Sequence, residues 1–290
     1  MMGQINKYRI ADLVLEVEGD PDYIAPEFKS FQCDVLEKTD IQICIKMQGM
    51  PELPDLNPMN WKFMGKFLIH ENEDAVYQYF TEENPMAPRL AVIRDHFHKV
   101  EFYMSGDHKE EAVQSNIKIC MQEIFFNAVL FEKGMSIHSA SIIYKDKAVL
   151  FSAPSQTGKS TQTNMWNELL QAPILDGDAT VCRVIDGKAF VYGLPWFGTS
   201  GLYMNQKAEI DSIVYLTQGK DNLVREINDP LEAFQRLFAS SFSEAWNQEM
   251  LNKRIEAAEE ILNYIKGYYF ICRKEESAVW ALKTVLDQRK

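Results

Sequence analysis

Along the first hundred residues apolar side chains come in short stretches, several alternating with polar ones: YRIADLVLEV, QICIKM, WKFMGKFLIH, AVYQYF and RLAVIRDHFHKVEFYM, between Tyr8 and roughly Tyr103. Alternation with period two puts one face of an extended strand into a core, so residues 1–107 read as a β-rich amino-terminal region. Met50 to Asn60, MPELPDLNPMN, holds three prolines and reads as an exposed loop. The period changes at about His108. Val113, Ile117, Ile119, Cys120, Ile124, Val129 and Leu130 recur at helical spacing, which predicts a joining helix over 108–133 with Gly134 as its stop. Two strands follow, Ser136 to Ile143 and Lys147 to Ser152, divided by a polar turn at Lys145 and Asp146. Then come the loop APSQTGKST, a helix from Ser160 to Leu170, a strand ending in ILDGD, and a hairpin turning at Asp186-Gly187. After the loop LPWFGTSG and the strand IDSIVYL, the tail from Asp229 alternates helical stretches (LEAFQRLFASSF, 247–265, SAVWALKTVL) with the strand YYFIC. Strands and helices in alternation after Gly134 predict an α/β (α+β) fold class, with a mixed-sheet core over 134–290.

Charge narrows the partners. The 290 residues carry a formal net charge of −12, which repels a polyphosphate backbone, so nucleic acid is not an expected partner. A single nucleotide remains compatible, because a few backbone N–H groups and one lysine hold phosphates whatever the overall charge. The five cysteines, Cys33, Cys44, Cys120, Cys182 and Cys272, form no C-x-x-C pair and read as reduced core thiols, neither a zinc site nor a disulfide framework. No segment approaches about eighteen uninterrupted apolar residues, and the first twenty residues lack a signal-peptide core. The expectation is a soluble cytoplasmic protein with no membrane partner; a homo-oligomer stays open.

The loop carries the chemistry. A Walker A segment reads G-x-x-x-x-G-K-[ST] between a strand and a helix, so that successive N–H groups curl around phosphate oxygens while the lysine reaches the terminal ones. Ala153 to Ser160, APSQTGKS, stands in that context with alanine at the first glycine position. Ser155, Gln156, Thr157, Gly158, Lys159, Ser160 and Thr161 are the candidate nucleotide-binding residues. Gly158 permits the sharp turn, Lys159 neutralises phosphate charge, and the Ser160 hydroxyl ligates magnesium. An ordinary helix cap would account for Ser155 and Thr157 but not for Gly-Lys-Ser at the helix entrance.

HSASIIYKDKAVLFSAPSQTGKST followed by ILDGDATVCRVIDGKAFVYGLPWFGTSG resembles the kinase core of the HPr kinase family, which is itself similar to ATP-dependent phosphoenolpyruvate carboxykinase. The resemblance covers about 134–216, with a looser match at YYFICRKEESAVWAL. It implies a phosphate-loop core preceded by a separate β-rich region, and an ATP-dependent kinase acting on a serine or threonine hydroxyl of a protein, peptide or small molecule. It also implies ATP or another phosphoryl donor and Mg2+ as cofactors. On this resemblance His138 lies near the phosphates, Lys159 binds them and Ser160 holds the metal. Asp178 takes the place of the second residue of an Asp-Asp pair whose first member is replaced here by Gly177, with Asp176 adjacent. The implied catalytic set is Asp178, His138 and Lys159, and the metal set Ser160 and Asp178, with Asp178 as general base, metal ligand or both. Gly193 to Gly201 resembles the border of the acceptor site. A non-catalytic nucleotide-binding regulator of the same fold is the alternative, motivated by Ala153 and Gly177. Arg183 and Arg225 receive no assignment, and no metal is assigned to His96 and His98, read as lying on a strand.

Overall fold

A computed structural model describes residues 3–47, 49–53, 60–64, 67–80, 88–104, 111–196 and 201–288. The chain divides into two compact units, Met1–Ala128 and Val129–Lys290.

In the first unit the described strands are β1 (Gln4–Ile10), β2 (Leu13–Gly19), β3 (Ile41–Lys46), β4 (Lys62–Met64), β5 (Phe67–Glu71), β6 (Val76–Phe80), β7 (Pro88–Arg94) and β8 (Lys99–Met104). They form one sheet in the order β1-β2-β3-β8-β7-β6-β5-β4, antiparallel except at β2–β3 and β3–β8. Apolar stretches that read as single strands fold back on themselves. YRIADLVLEV turns at Ala11 and Asp12, with φ of 52° and 59°, so that Ile10 pairs with Leu13. Two consecutive left-handed residues make the mirror-image turn that matches strand twist. RLAVIRDHFHKVEFYM likewise turns at Asp95, His96 and Phe97, all with positive φ, and pairs Arg94 with Lys99. His96 and His98 therefore sit in a turn, not on a strand face. The buried Phe97 disguises that turn as continuous apolar pattern. The helix α1 spans Glu111–Phe131, and the division between units falls inside it.

The second unit contains β9 (Gly134–Tyr144), β10 (Lys147–Ser152), α2 (Lys159–Leu170), β11 (Ile174–Asp176), β12 (Ala179–Ile185), β13 (Lys188–Tyr192), β14 (Lys207–Gln218), β15 (Leu223–Glu226), α3 (Pro230–Ala239), α4 (Gln248–Leu262), β16 (Lys266–Cys272) and α5 (Glu276–Asp287). The sheet runs β10-β9-β12-β13-β14-β16-β15, and β10 also pairs with β14, closing five strands into a ring. The contacts β10–β14 and β14–β16 are parallel and the rest of the path antiparallel, so the core is a mixed sheet within an α+β fold. β15 is a short strand that the sequence pattern did not reveal. Its Leu223-Val-Arg-Glu226 is largely exposed at the sheet edge, where no buried face imposes alternation.

β14 explains the layering. Ile213 and Tyr215 pack toward Leu237 of α3 and Ala257 and Ile261 of α4, whereas Val214 and Leu216 pack toward Trp166 of α2 and Val279 and Leu282 of α5. A strand buried on both faces reads as an unbroken apolar run, IVYL, and each such side chain contributes roughly 1.5–3 kcal/mol by leaving water. Among the described residues no helix is long and apolar enough to cross a membrane. All five cysteines are free. Cys120, Cys182 and Cys272 are buried, while Cys33 and Cys44 are only partly so, which corrects the reading of all five as core thiols.

Candidate functional site

Parallel β10, β14 and β16 bring their carboxyl ends to one edge, where ligands of α/β sheets are commonly bound. The segment 153–158 leaves β10 at this edge and enters α2. Two residues shape it: Gln156 has φ 63°, and Gly158, the N-cap of α2, has φ 125° and ψ 17°. A Cβ on Gly158 would meet no atom within 4 Å, so glycine is required there by backbone conformation and not by space. Ala153 is not among the positive-φ residues, and it packs with Phe151 and Trp166 in the α2-side core. Its methyl group thus stands at the first Walker position without strain. The loop is braced from β14, whose Gln218 donates from Nε2 to the carbonyls of Gln156 (3.2 Å) and Thr157 (3.1 Å). Gln218 carried no signal in sequence, since only the β10–β14 pairing brings it to the loop.

α2 begins without a side-chain cap, and its first backbone bond runs from Gln162 N–H to the Gly158 carbonyl. The N–H groups of the first turn lack intrahelical acceptors, as at every helix start, and carry partial positive charge. Ser155, Gln156 and Ser160 are exposed; Thr157, Gly158 and Thr161 are half-buried. Lys159 is 7% exposed, its Nζ donating to the Ala153 carbonyl at 3.0 Å and lying 2.9 Å from His138 Nε2. That same Nε2 is 3.1 Å from Asp178 Oδ1. The candidate catalytic residues Lys159, His138 and Asp178 therefore meet in one chain of contacts.

Their protonation states are in competition. Burial pushes the Lys159 ammonium below its usual range, opposed by the charge of Asp178. The hydrogen bond from His138 holds the Asp178 carboxyl below its usual range, helped by the charges of His138 and Lys159 and opposed by burial. A single imidazole nitrogen either donates to Asp178 or accepts from Lys159; it cannot do both. The fold fixes the histidine firmly. His138 lies on β9 opposite Ala179 of β12, its N–H donates to the Ser240 carbonyl (2.8 Å), its own carbonyl accepts from Ser152 Oγ (3.0 Å), and its ring lies 5.1 Å from that of Phe242.

Asp176 is fully buried. Its Oδ1 accepts from the N–H groups of Asp178 (3.1 Å) and Ala179 (3.2 Å), and its Oδ2 from that of Leu194 (3.0 Å). Burial pushes its carboxyl up to about 8 despite those three donors. Asp176 thus ties the turn that presents Asp178 to the start of the loop 193–206. The signal for this was available in the D-G-D spacing before a strand, since Asp readily bonds backbone N–H groups two residues on. Gly193 sits at a close approach as well: a Cβ there would lie 2.1 Å from the Met204 carbonyl oxygen. The glycine-rich stretch 197–200 lies outside the described residues. Arg183 donates to the Glu132 carbonyl and Arg225 to Glu232. Among the described residues no cluster of three or more His, Cys, Asp or Glu could hold a metal by itself.

No protein-family model matches the chain, and no curated protein matches it. Among solved structures it is distantly similar to the Hpr(Ser) kinase/phosphatase from Coxiella burnetii, at 10% identity and a TM-score of 0.32, over 52% of this chain and 98% of that one. A likeness that distant carries no argument about chemistry, which rests on the loop, Lys159, His138 and Asp178 themselves.

Proposed function

We propose that the segment 153–161 binds the phosphates of a nucleoside triphosphate, ATP in the first instance, and that the chain transfers the terminal phosphoryl group to a hydroxyl acceptor, as an HPr kinase-like phosphotransferase. The observation that carries this reading is the convergence of Lys159, His138 and Asp178 beside an uncapped helix start entered through a positive-φ glycine. The first-turn N–H groups and the loop amides offer donors to phosphate oxygens. Lys159, released from the Ala153 carbonyl and from His138, neutralises the terminal phosphates. An anion taking the ammonium removes the competition at His138, whose Nε2–H then donates to Asp178 and orients it.

The donor set also fits magnesium. The exposed Ser160 hydroxyl and the Asp178 carboxylate are hard oxygen ligands, to be completed by phosphate oxygens and water. Bound there, Mg2+ would neutralise charge on the phosphates. Asp178, kept ionised by its neighbours, accepts the acceptor's hydroxyl proton as bonding to phosphorus develops. Asp176, with both oxygens engaged by backbone N–H groups, does not serve as a second base.

Calorimetric titration of MgATP into the wild type and Lys159→Ala tests the binding step: saturable binding is expected, lost or weakened at least about tenfold in the variant. A folded wild type that binds neither ATP, ADP, GTP nor pyrophosphate would falsify the proposal. Binding of MgATP that survives undiminished in Asp178→Asn while phosphoryl transfer falls by roughly 10²–10⁴ supports a base role, and weakened MgATP binding in that variant supports a metal-ligand role. Binding without turnover on any acceptor leaves a nucleotide-binding regulator instead.

A further inference from the structure

Beside the loop, on the α3 side of the sheet, lies a cavity of about 480 Å³, in the range of small-molecule pockets. It shares His138, Ala153 and Pro154 with the loop. The lysine of a phosphate loop reaches the terminal phosphates, and Lys159 contacts both His138 and the Ala153 carbonyl. The cavity therefore opens onto the reacting end of the donor rather than onto its nucleoside.

Its lining has a definite chemistry. Arg236 lies with its guanidinium 4.5 Å from the centroid of Tyr269 and 5.7 Å from that of Tyr215, and its Nε donates to Glu232 Oε1 at 2.8 Å. Arg225 donates to both oxygens of the same carboxylate, at 3.0 and 2.7 Å. Two guanidinium groups thus share one carboxylate, and one positive charge is left over. Among the described residues the terminal nitrogens of Arg236 have no hydrogen-bond partner, so a planar fork held in place by stacking stands ready for a second carboxylate. Tyr269 and Phe242 supply aromatic wall, and among the described residues no Asp or Glu lines the cavity itself.

We propose that this cavity holds the phosphoryl acceptor, and that the acceptor is a small hydroxy acid with an apolar body. Its carboxylate sits on Arg236, its body against Tyr269 and Phe242, and its hydroxyl toward His138 and Asp178. This rests on the phosphoryl-transfer reading above. In the reaction the hydroxyl oxygen forms a bond to the γ-phosphorus, the bond from that phosphorus to the β–γ bridging oxygen breaks, ADP leaves with the electron pair, and the hydroxyl proton passes to Asp178.

The test uses three probes on the full chain by calorimetry: 3-phenyllactate, 3-phenylpropionate, which lacks the hydroxyl, and 1-phenyl-2-propanol, in which a methyl group replaces the carboxylate. The two acids are expected to bind the wild type, the alcohol about tenfold or more weakly, as loss of a charge-assisted contact implies. Arg236→Gln should weaken the acids by a similar factor, and only 3-phenyllactate should take label from γ-labelled ATP. The comparison of acid with alcohol on the wild type needs no variant, so it stands even if Arg236→Gln fails to fold. Equal affinity for all three probes, or no acid binding in protein that binds MgATP, overturns the cavity assignment and leaves the phosphoryl-transfer reading intact. Acid binding in protein that binds no nucleotide overturns the acceptor role through the loss of its donor.

Discussion

Asp176 and Asp178 stand one residue apart and are driven in opposite directions: burial raises the first carboxyl, and contact with His138 lowers the second. A sequence shows only two aspartates around a glycine, because the difference arises from which one the fold buries. Lys159 is similar. Its place in Gly-Lys-Ser was legible, but its resting contacts with Ala153 and His138 were not, since they depend on β9 lying beside β10. Glu232 offers a prediction at this scale. Hydrogen bonds from Arg225 and Arg236 push its carboxyl down to about 2. A carboxyl whose pKa is lower in the folded state contributes stability that is fully present above its ordinary pKa, near 4.5, and is lost as pH falls through about 2. Thermal unfolding should therefore show wild type above Glu232→Gln at pH 7, with the gap closing between about pH 4.5 and 2. Because the cluster faces solvent, salt should narrow the gap at pH 7. A gap unchanged across that pH range would show that charge is not its source.

At the scale of elements, the strand–loop–helix unit was the most legible part of the chain. Apolar β10, the turn-forming loop and the helix start each carry local signals, and APSQTGKST needs no distant residue to be read. Ala153 raised a question that only backbone geometry answered, because a Cβ is strained only at positive φ, and the loop's positive-φ positions are Gln156 and Gly158, not Ala153. Hairpin turns in the first unit were less legible, since Asp12 and Asp95 share them with left-handed Ala11 and Phe97, which are not turn formers and continue the apolar pattern. The brace from Gln218 supplies the test. Gln218→Ala removes two bonds to loop carbonyls, each worth about 1 kcal/mol in net terms, so MgATP binding should weaken by roughly three- to tenfold through a less ordered loop. Unfolding free energy should change by less than about 2 kcal/mol, as the residue is surface-exposed. Undiminished affinity would mean that the loop holds its shape without the brace.

At the scale of the whole molecule, the division into Met1–Ala128 and Val129–Lys290 places the phosphate-loop segment, Lys159, His138, Asp178 and the Arg236 cavity all within the second unit. Saturating MgATP at about 100 times its Kd stabilises the binding state by roughly 2.7 kcal/mol. Hydrogen exchange should show that gain at the end of β10, the start of α2 and the β11–β12 turn, with residues 3–104 unchanged. Protection gained equally in the first unit would show that nucleotide binding is coupled to it. By itself the sequence determined what depends on neighbours along the chain: strand and helix periods, the Walker-like loop, and a net charge of −12 that disfavours polyanions. Tertiary structure alone decided which distant groups meet. Ring closure of β14 onto β10 brought Gln218 to the loop, the β9–β10 and β9–β12 pairings set His138 between Lys159 and Asp178, and α3 packing set Arg236 over Tyr269. Such contacts depend on register and layer packing between segments up to about a hundred residues apart, and no local pattern encodes the distance between two side chains that only folding brings together.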